Sequence, residues 1–183
     1  MHLGQRGALT SRHYITDSHA FEGGVLVDAG VAEGNFALRY IDIAEKVFLF
    51  EPEERWLEVI RHTFYPYRDK TVIIPKKLGR NNNGNETTLD EIIGQGKCDF
   101  IKMDIEGAEP DALLGAMDVL RRNDVKLSIC SYHRQFDKKY IEFILESLGY
   151  KTSTTSGYMF FMYDDYIDET LDFRRGVVFG EKR

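Results

Sequence analysis

Apolar residues along the chain gather into short runs that close on an acid or a turn, with helical periodicity between them. GVLVD (24–28) and KVFLFEP (46–52) are the first two runs. Between them, GNFALRYIDIA (34–44) sets Phe36, Ala37, Tyr40, Ile41 and Ala44 at helical spacing. Residues 53–64 place Trp56, Ile60 and Phe64 on one stripe of a second helix, and TVIIP (71–75) predicts a third strand ended by Pro75. GRNNNGNETT is loop chemistry. TLDEII (88–93) predicts a short helix capped by Thr87 or Thr88, and CDFIKMD (98–104) a fourth strand. The spacing then predicts one helix over 109–122, with Pro110 at its start, Leu113, Ala116, Met117 and Leu120 as its stripe, and Arg121 and Arg122 at its end. VKLSICSYH (125–133) predicts strand five, and KKYIEFILESLG (138–149) a helix stopped by Gly149.

Five strands separated by helices predict an α/β fold: a doubly wound, mostly parallel sheet with helices on both faces. After Gly149 the rhythm changes. YKTSTTSGYMFFMY and RGVVFGEKR read as two further strands with no helix between them, an antiparallel pair closing one edge of a seven-stranded sheet. The polar residues 1–22 form an N-terminal arm, and 23–183 form the single domain. The acidic, aromatic stretch from Tyr158 to Phe173 either covers an acceptor, with Tyr158, Phe160, Phe161, Tyr163 and Tyr166 stacking on a sugar face, or belongs to a core or dimer contact.

Composition narrows the function. A net charge of −6 argues against a protein built to grip a nucleic-acid backbone. No run approaches the roughly 20 apolar residues of a membrane span, and the first residues lack a secretory core. Cys98 and Cys130 have no metal-type spacing and read as buried, reduced thiols. A cytoplasmic protein is expected, free of membrane and nucleic-acid partners, with a homodimer possible.

The candidate chemistry lies where the strands end, since open α/β sheets bind ligands beyond their carboxyl edges. Those ends carry Asp28, Glu51, Asp104 and His133. In VDAGVAEGNF, Gly30 and Gly34 allow a tight turn before a helix, but Asp28 and Glu33 would repel a pyrophosphate, and the third glycine of a dinucleotide loop is missing. A cationic ligand suits the acids better. Glu51 stands 21 positions after Gly30 and either accepts hydrogen bonds from a ribose or complements the following helix.

Four blocks, VDAGVAEGNFAL, FLFEPEE, TTLDEII and DFIKMDIEGAEPDALLGA, resemble the successive motifs of the FkbM-type methyltransferases over roughly residues 24–150. The resemblance implies a Rossmann-like class I methyltransferase domain, S-adenosylmethionine as methyl donor, and O-methylation of a sugar or natural-product hydroxyl on a small-molecule or glycan acceptor. It carries Asp28, Gly30 and Gly34 onto the methionine-binding loop, Glu51 onto the ribose acid and Asp104 onto the acid ending strand four. Val31, Asn35, Phe36 and Pro52 flank these positions and complete the expected cofactor-binding set. One departure stands in the first block, where Val31-Ala32-Glu33-Gly34 replaces the common Ala-Asn-Ile-Gly.

His133 is the expected general base, with a capping or loop role as the alternative. Asp104 is expected to bind the methionine ammonium, to orient His133, or to hold a divalent cation with Glu106, and a metal-free site is the preferred reading. Lys102 is expected to balance Asp104 or Glu106, and Glu109 to cap the helix that follows. The competing reading of the whole chain is a catalytically inactive S-adenosylmethionine-binding or scaffold protein with the same fold.

Overall fold

A computed structural model describes residues 14–16, 19–160 and 173–182. Its main sheet is built from β1 (Gly24–Ala29), β2 (Ala44–Phe50), β3 (Thr71–Ile74), β6 (Phe100–Met103), β7 (Lys126–Cys130), β8 (Tyr150–Thr154) and β11 (Val177–Lys182). Two-residue ladders join β4 (Lys77–Leu78) to β5 (Glu86–Thr87) and β9 (Met159–Phe160) to β10 (Phe173–Arg174). The strand order is β3-β2-β1-β6-β7-β11-β8. Strands β3, β2, β1, β6 and β7 are parallel, while β11 lies antiparallel between β7 and β8. The expected antiparallel pair therefore closes one side of the sheet, and β11 is its reversed member.

Alternation along the strands divides the core between two faces. Leu26, Val47, Leu49 and Phe100 pack beneath α1 (Asn35–Tyr40) and α2 (Glu54–Thr63), through Ala37, Ile60 and Phe64. Val27, Phe48, Phe50, Ile101 and Met103 face α3 (Leu89–Ile93), α4 (Glu109–Leu114), α5 (Met117–Arg122) and α6 (Asp137–Ser147). Both cysteines are buried and unbridged. A short 3-10 turn, Tyr65–Tyr67, follows α2. No helix among the described residues is long and apolar enough to cross a membrane.

Two helices differ from the sequence pattern. The helix expected over 34–44 stops at Tyr40, and Ala44 opens β2 instead. Lys70 explains the early stop: its ammonium donates to the carbonyls of Ile41 and Ala44, which a continuing helix would have used internally. The helix expected over 109–122 is two helices. Asp90 starts the second, because its carboxylate accepts the Asp118 N–H at 3.1 Å and the Val119 N–H at 2.8 Å, and its own N–H donates to the Gly115 carbonyl at 3.0 Å. The Asn-rich loop is ordered by its side chains, with Asn83 Oδ1 accepting from the N–H groups of Asn85 and Glu86, each at 3.0 Å. Thr88 caps α3 through the Glu91 N–H at 3.1 Å, as one of the two threonines was expected to.

Most of the expected N-terminal arm lies outside the described residues, as do Phe161, Tyr163 and Tyr166. Its described part runs across the α1 face. His19 is buried, its Nε2 2.8 Å from the Leu127 carbonyl of β7, and the Ser128 hydroxyl bonds the Tyr14 carbonyl at 2.5 Å.

Replacing Asp90 with alanine removes two caps from α5 and should cost about 1–2 kcal/mol, read as a lower urea midpoint with an unchanged slope. The arm should also respond to acid. Burial lowers the His19 pKa, only partly opposed by the Leu127 carbonyl and the charge of Glu181, while Lys126 pushes it the same way as burial. With the folded value below the unfolded one, the unfolded chain binds the proton more readily. The anchor's contribution is therefore complete above about pH 6.5 and declines as pH falls below that value. Hydrogen exchange of the amides of residues 14–22 should accelerate in that window, and a His19→Gln variant should show a flatter response.

Candidate active site at the carboxyl edge of the sheet

Strand order reverses between β1 and β6, and this switch point opens a crevice at their carboxyl ends. Gly30 follows β1 with φ 75°, and a Cβ on it would sit 1.7 Å from the Asp104 carbonyl oxygen. Only glycine lets the loop lie this close to the end of β6. Gly34, at φ 84°, turns the loop into α1 and faces the Phe64 ring, which a Cβ would meet at 2.7 Å. Val31 is buried; Asn35, Pro52 and Glu33 are exposed. Phe36 is half-buried, edge-on to Tyr14 with ring centroids 5.7 Å apart.

Beneath this loop lies a buried ion pair. Lys102 Nζ is 3.0 Å from Asp28 Oδ1, with both side chains at most 5% exposed. The same ammonium donates to the Ala29 carbonyl at 3.3 Å and the Gly30 carbonyl at 2.7 Å. Asp28 Oδ2 accepts the Ala37 N–H at 3.2 Å, near the start of α1. Burial works against the charge on Lys102, but Asp28 and Asp104 outweigh it and raise its pKa. Lys102 thus contacts Asp28 directly, because register places residues 28 and 102 opposite each other, and the expected partner Asp104 acts on it through its charge. Asp28 supports the loop from below and has no exposed surface to offer a ligand.

Glu51 is also engaged. Its Oε2 accepts the Ala32 N–H at 3.0 Å and its Oε1 the Glu53 N–H at 2.9 Å, so one carboxylate joins the glycine loop to the start of α2. Each oxygen retains a second acceptor direction.

The charges beyond β6 and β7 converge on one imidazole. His133 Nε2 is 3.2 Å from Asp104 Oδ1 and 3.5 Å from Glu106 Oε2, while Nδ1 is 3.0 Å from Glu109 Oε1. Glu106 reaches His133 from a left-handed backbone, φ 57°, and its side chain is 92% exposed. Glu109 is fully buried, fixed by the Ile105 N–H at 2.8 Å. Asp104 also accepts the Tyr14 hydroxyl at 2.6 Å and the Tyr132 hydroxyl at 3.0 Å. Burial tends to raise the Asp104 pKa, but the bonds from His133 and Tyr14 and the charge of Lys102 prevail and hold it far below the usual carboxylate range. For His133, burial lowers the pKa and the flanking Asp104 and Glu109 overcome it, pushing it up to about 10. This favours the charged imidazole near neutrality, whereas the expected base role calls for the neutral ring. Burial pushes the Tyr14 phenol upward, with nearby Cys130 and Asp104 adding to it, so Tyr14 is a hydrogen-bond donor here.

Sequence reasoning brought Asp104 and His133 together correctly and missed Tyr14, Tyr132 and the inward role of Glu109. The first lies 90 residues from Asp104, and nothing local to it signals the contact. For Glu109 the signal was present: a carboxylate five residues after Asp104, past a glycine turn, returns to the same strand end.

The strand order and surrounding helices give the Rossmann-like fold that class I methyltransferases share. Within that class the resemblance to the FkbM-type methyltransferases holds: residues 80–152 match the model of the Methyltransferase FkbM domain. A methyltransferase FkbM structure from Methylobacillus flagellatus superposes over 95% of this chain with a TM-score of 0.71 at 23% identity, and the chain spans 49% of that structure's length. A precorrin-6y C5,15-methyltransferase from Geobacter metallireducens aligns over 96% of this chain and 86% of its own (TM-score 0.60, 15% identity). A candidate methyltransferase from Streptococcus mutans, in complex with SAH, aligns over 86% and 88% (TM-score 0.51, 14% identity). No curated protein gives a significant match.

Lys102→Met leaves Asp28 buried without its counterion and should cost about 3–5 kcal/mol in chemical denaturation. Adding Asp28→Asn should recover much of that loss. If the double variant is less stable than Lys102→Met alone, the pair is not the unit described.

Proposed function

We propose that this chain is an S-adenosylmethionine-dependent methyltransferase acting on a hydroxyl of a sugar or natural-product acceptor. The observation that carries the reading is the glycine loop at the sheet's switch point, set between Glu51 and the acidic end of β6. Its chemistry fits the cofactor. Gly30 and Gly34 bring bare backbone to the crevice, Glu51 retains acceptor directions for ribose hydroxyls, and Asp104 is kept ionised beside it, suiting a ligand with positive charge. Val31, Asn35, Phe36 and Pro52 border the same loop and strand end.

S-adenosylmethionine, when bound, would supply a methyl carbon for in-line attack by the acceptor oxygen, its bond to sulfur breaking as a neutral thioether leaves. The chain's own residues bind, orient and manage charge. Lys102 and Asp28 hold the loop from beneath. Asp104, fixed by Tyr14, Tyr132 and His133, presents a permanent negative charge. Neither the charged His133 nor the strongly acidic Asp104 is a useful proton acceptor. Glu106, exposed at the rim and turned toward His133, is the carboxylate placed to meet the acceptor's proton.

Isothermal titration should show saturable binding of S-adenosylmethionine to the full chain. Glu51→Ala should weaken it by about 1–3 kcal/mol. Absence of saturable binding at millimolar cofactor would sink the proposal, and wild-type affinity in Glu51→Ala would move the pocket elsewhere. Radiolabelled methyl transfer to a panel of glycosides tests the acceptor class. Binding without turnover on any hydroxyl acceptor favours the non-catalytic alternative.

A further inference from the structure

One imidazole nitrogen and one oxygen from each of two carboxylates lie within 4.8 Å of one another at Asp104, Glu109 and His133. Surface acids often cluster without consequence, but this group is different in two respects. It is mixed and mostly withdrawn from solvent: the His133 side chain is 9% exposed, that of Asp104 21%, and that of Glu109 0%. Its buried atoms are also poorly satisfied. Glu109 Oε2 accepts no hydrogen bond from any described residue, and His133 Nδ1 approaches Glu109 Oε1 to 3.0 Å without the geometry of a hydrogen bond. A fully buried carboxylate oxygen without a donor is costly unless a cation meets it.

We propose that Asp104, Glu109 and His133 form a divalent-cation site of the oxygen-preferring class, suited to Mn²⁺ or Mg²⁺, with the exposed Glu106 at its opening. His133 Nε2 stands 3.2 Å from Asp104 Oδ1 and 3.5 Å from Glu106 Oε2, near the spacing between neighbouring donor atoms around an ion bonded at about 2.0–2.2 Å, and one ring nitrogen, one Asp104 oxygen and one Glu109 oxygen all lie within 4.8 Å of one another. The carboxylates would supply the negative charge, and His133 a nitrogen ligand. Two carboxylates and one imidazole form a harder set than thiolate sites and match manganese or magnesium better than zinc–sulfur chemistry. Resting on the methyltransferase reading, the inference deepens it: an acceptor hydroxyl coordinated here would lose its proton more easily.

The test uses the full chain with Mn²⁺ alone, followed by loss of the free-ion signal in electron paramagnetic resonance. About one ion per chain is expected to bind, and Asp104→Asn and Glu109→Gln should each weaken the affinity about tenfold or more. Glu142→Gln, paired with Lys138 on α6, should leave it unchanged. Near-UV circular dichroism identifies any variant that fails to fold, and Asp104→Asn keeps the test decisive if Glu109→Gln does. No site-bound Mn²⁺, or equal affinity in wild type and Asp104→Asn, overturns the proposal. Titration with S-adenosylmethionine in the absence of metal separates the two readings. Mn²⁺ binding without cofactor binding would remove the methyltransferase assignment and leave the cation site standing, and the reverse result would do the opposite.

Discussion

The contact between Asp28 and Lys102 is the constraint on which the working edge depends. An ammonium inside a sheet is expensive unless it is paired, and Lys102 donates to the carbonyls of Ala29 and Gly30 while its charge meets Asp28 at 3.0 Å. The pair therefore joins adjacent parallel strands and also sets the direction in which the chain leaves β1. Asp28 extends the same connection to α1 through the Ala37 N–H. With strand, loop and helix held by one pair of charges, the glycine turn has a fixed base and needs no side chains of its own to stay in place.

Glu51 and Asp104 continue this division of labour. Glu51 uses both oxygens to hold the upper side of the loop against α2, while Asp104 collects two phenols and an imidazole from distant parts of the chain. One acid is mainly an internal support and the other an electrostatic feature of the crevice. Their positions in sequence look equivalent, each directly after a strand, and only their donors distinguish them.

The mostly parallel sheet and the placing of Asp28, Glu51, Asp104 and His133 at its carboxyl edge were legible because period-2 and period-3.6 patterns specify which residues reach the edge of a parallel sheet. Contacts between elements were not. Nothing in the period of residues 34–44 reveals that Lys70 will claim the carbonyls of Ile41 and Ala44, nor does the stripe from Leu113 to Leu120 reveal that Asp90 will open a second helix at Met117. Both helix patterns are sound locally and are overridden by a side chain from elsewhere. Lys102 was paired with its own strand's acids because they share its face, but the parallel register puts Asp28 opposite it at closer range.

The His133 cluster shows how surroundings bear on the chemistry that residue type alone suggests. An isolated histidine near neutrality is the natural base, and that argument holds only while its surroundings leave the pKa near its ordinary value. Here three carboxylates stand within 3.5 Å, and two of them, Asp104 and Glu109, outweigh the burial that would otherwise discharge the ring. An imidazole so surrounded must carry a cation, whether a proton or a metal ion. His133 compensates charge and holds Asp104 in place, while Glu106 stands farther out in solvent on its left-handed turn.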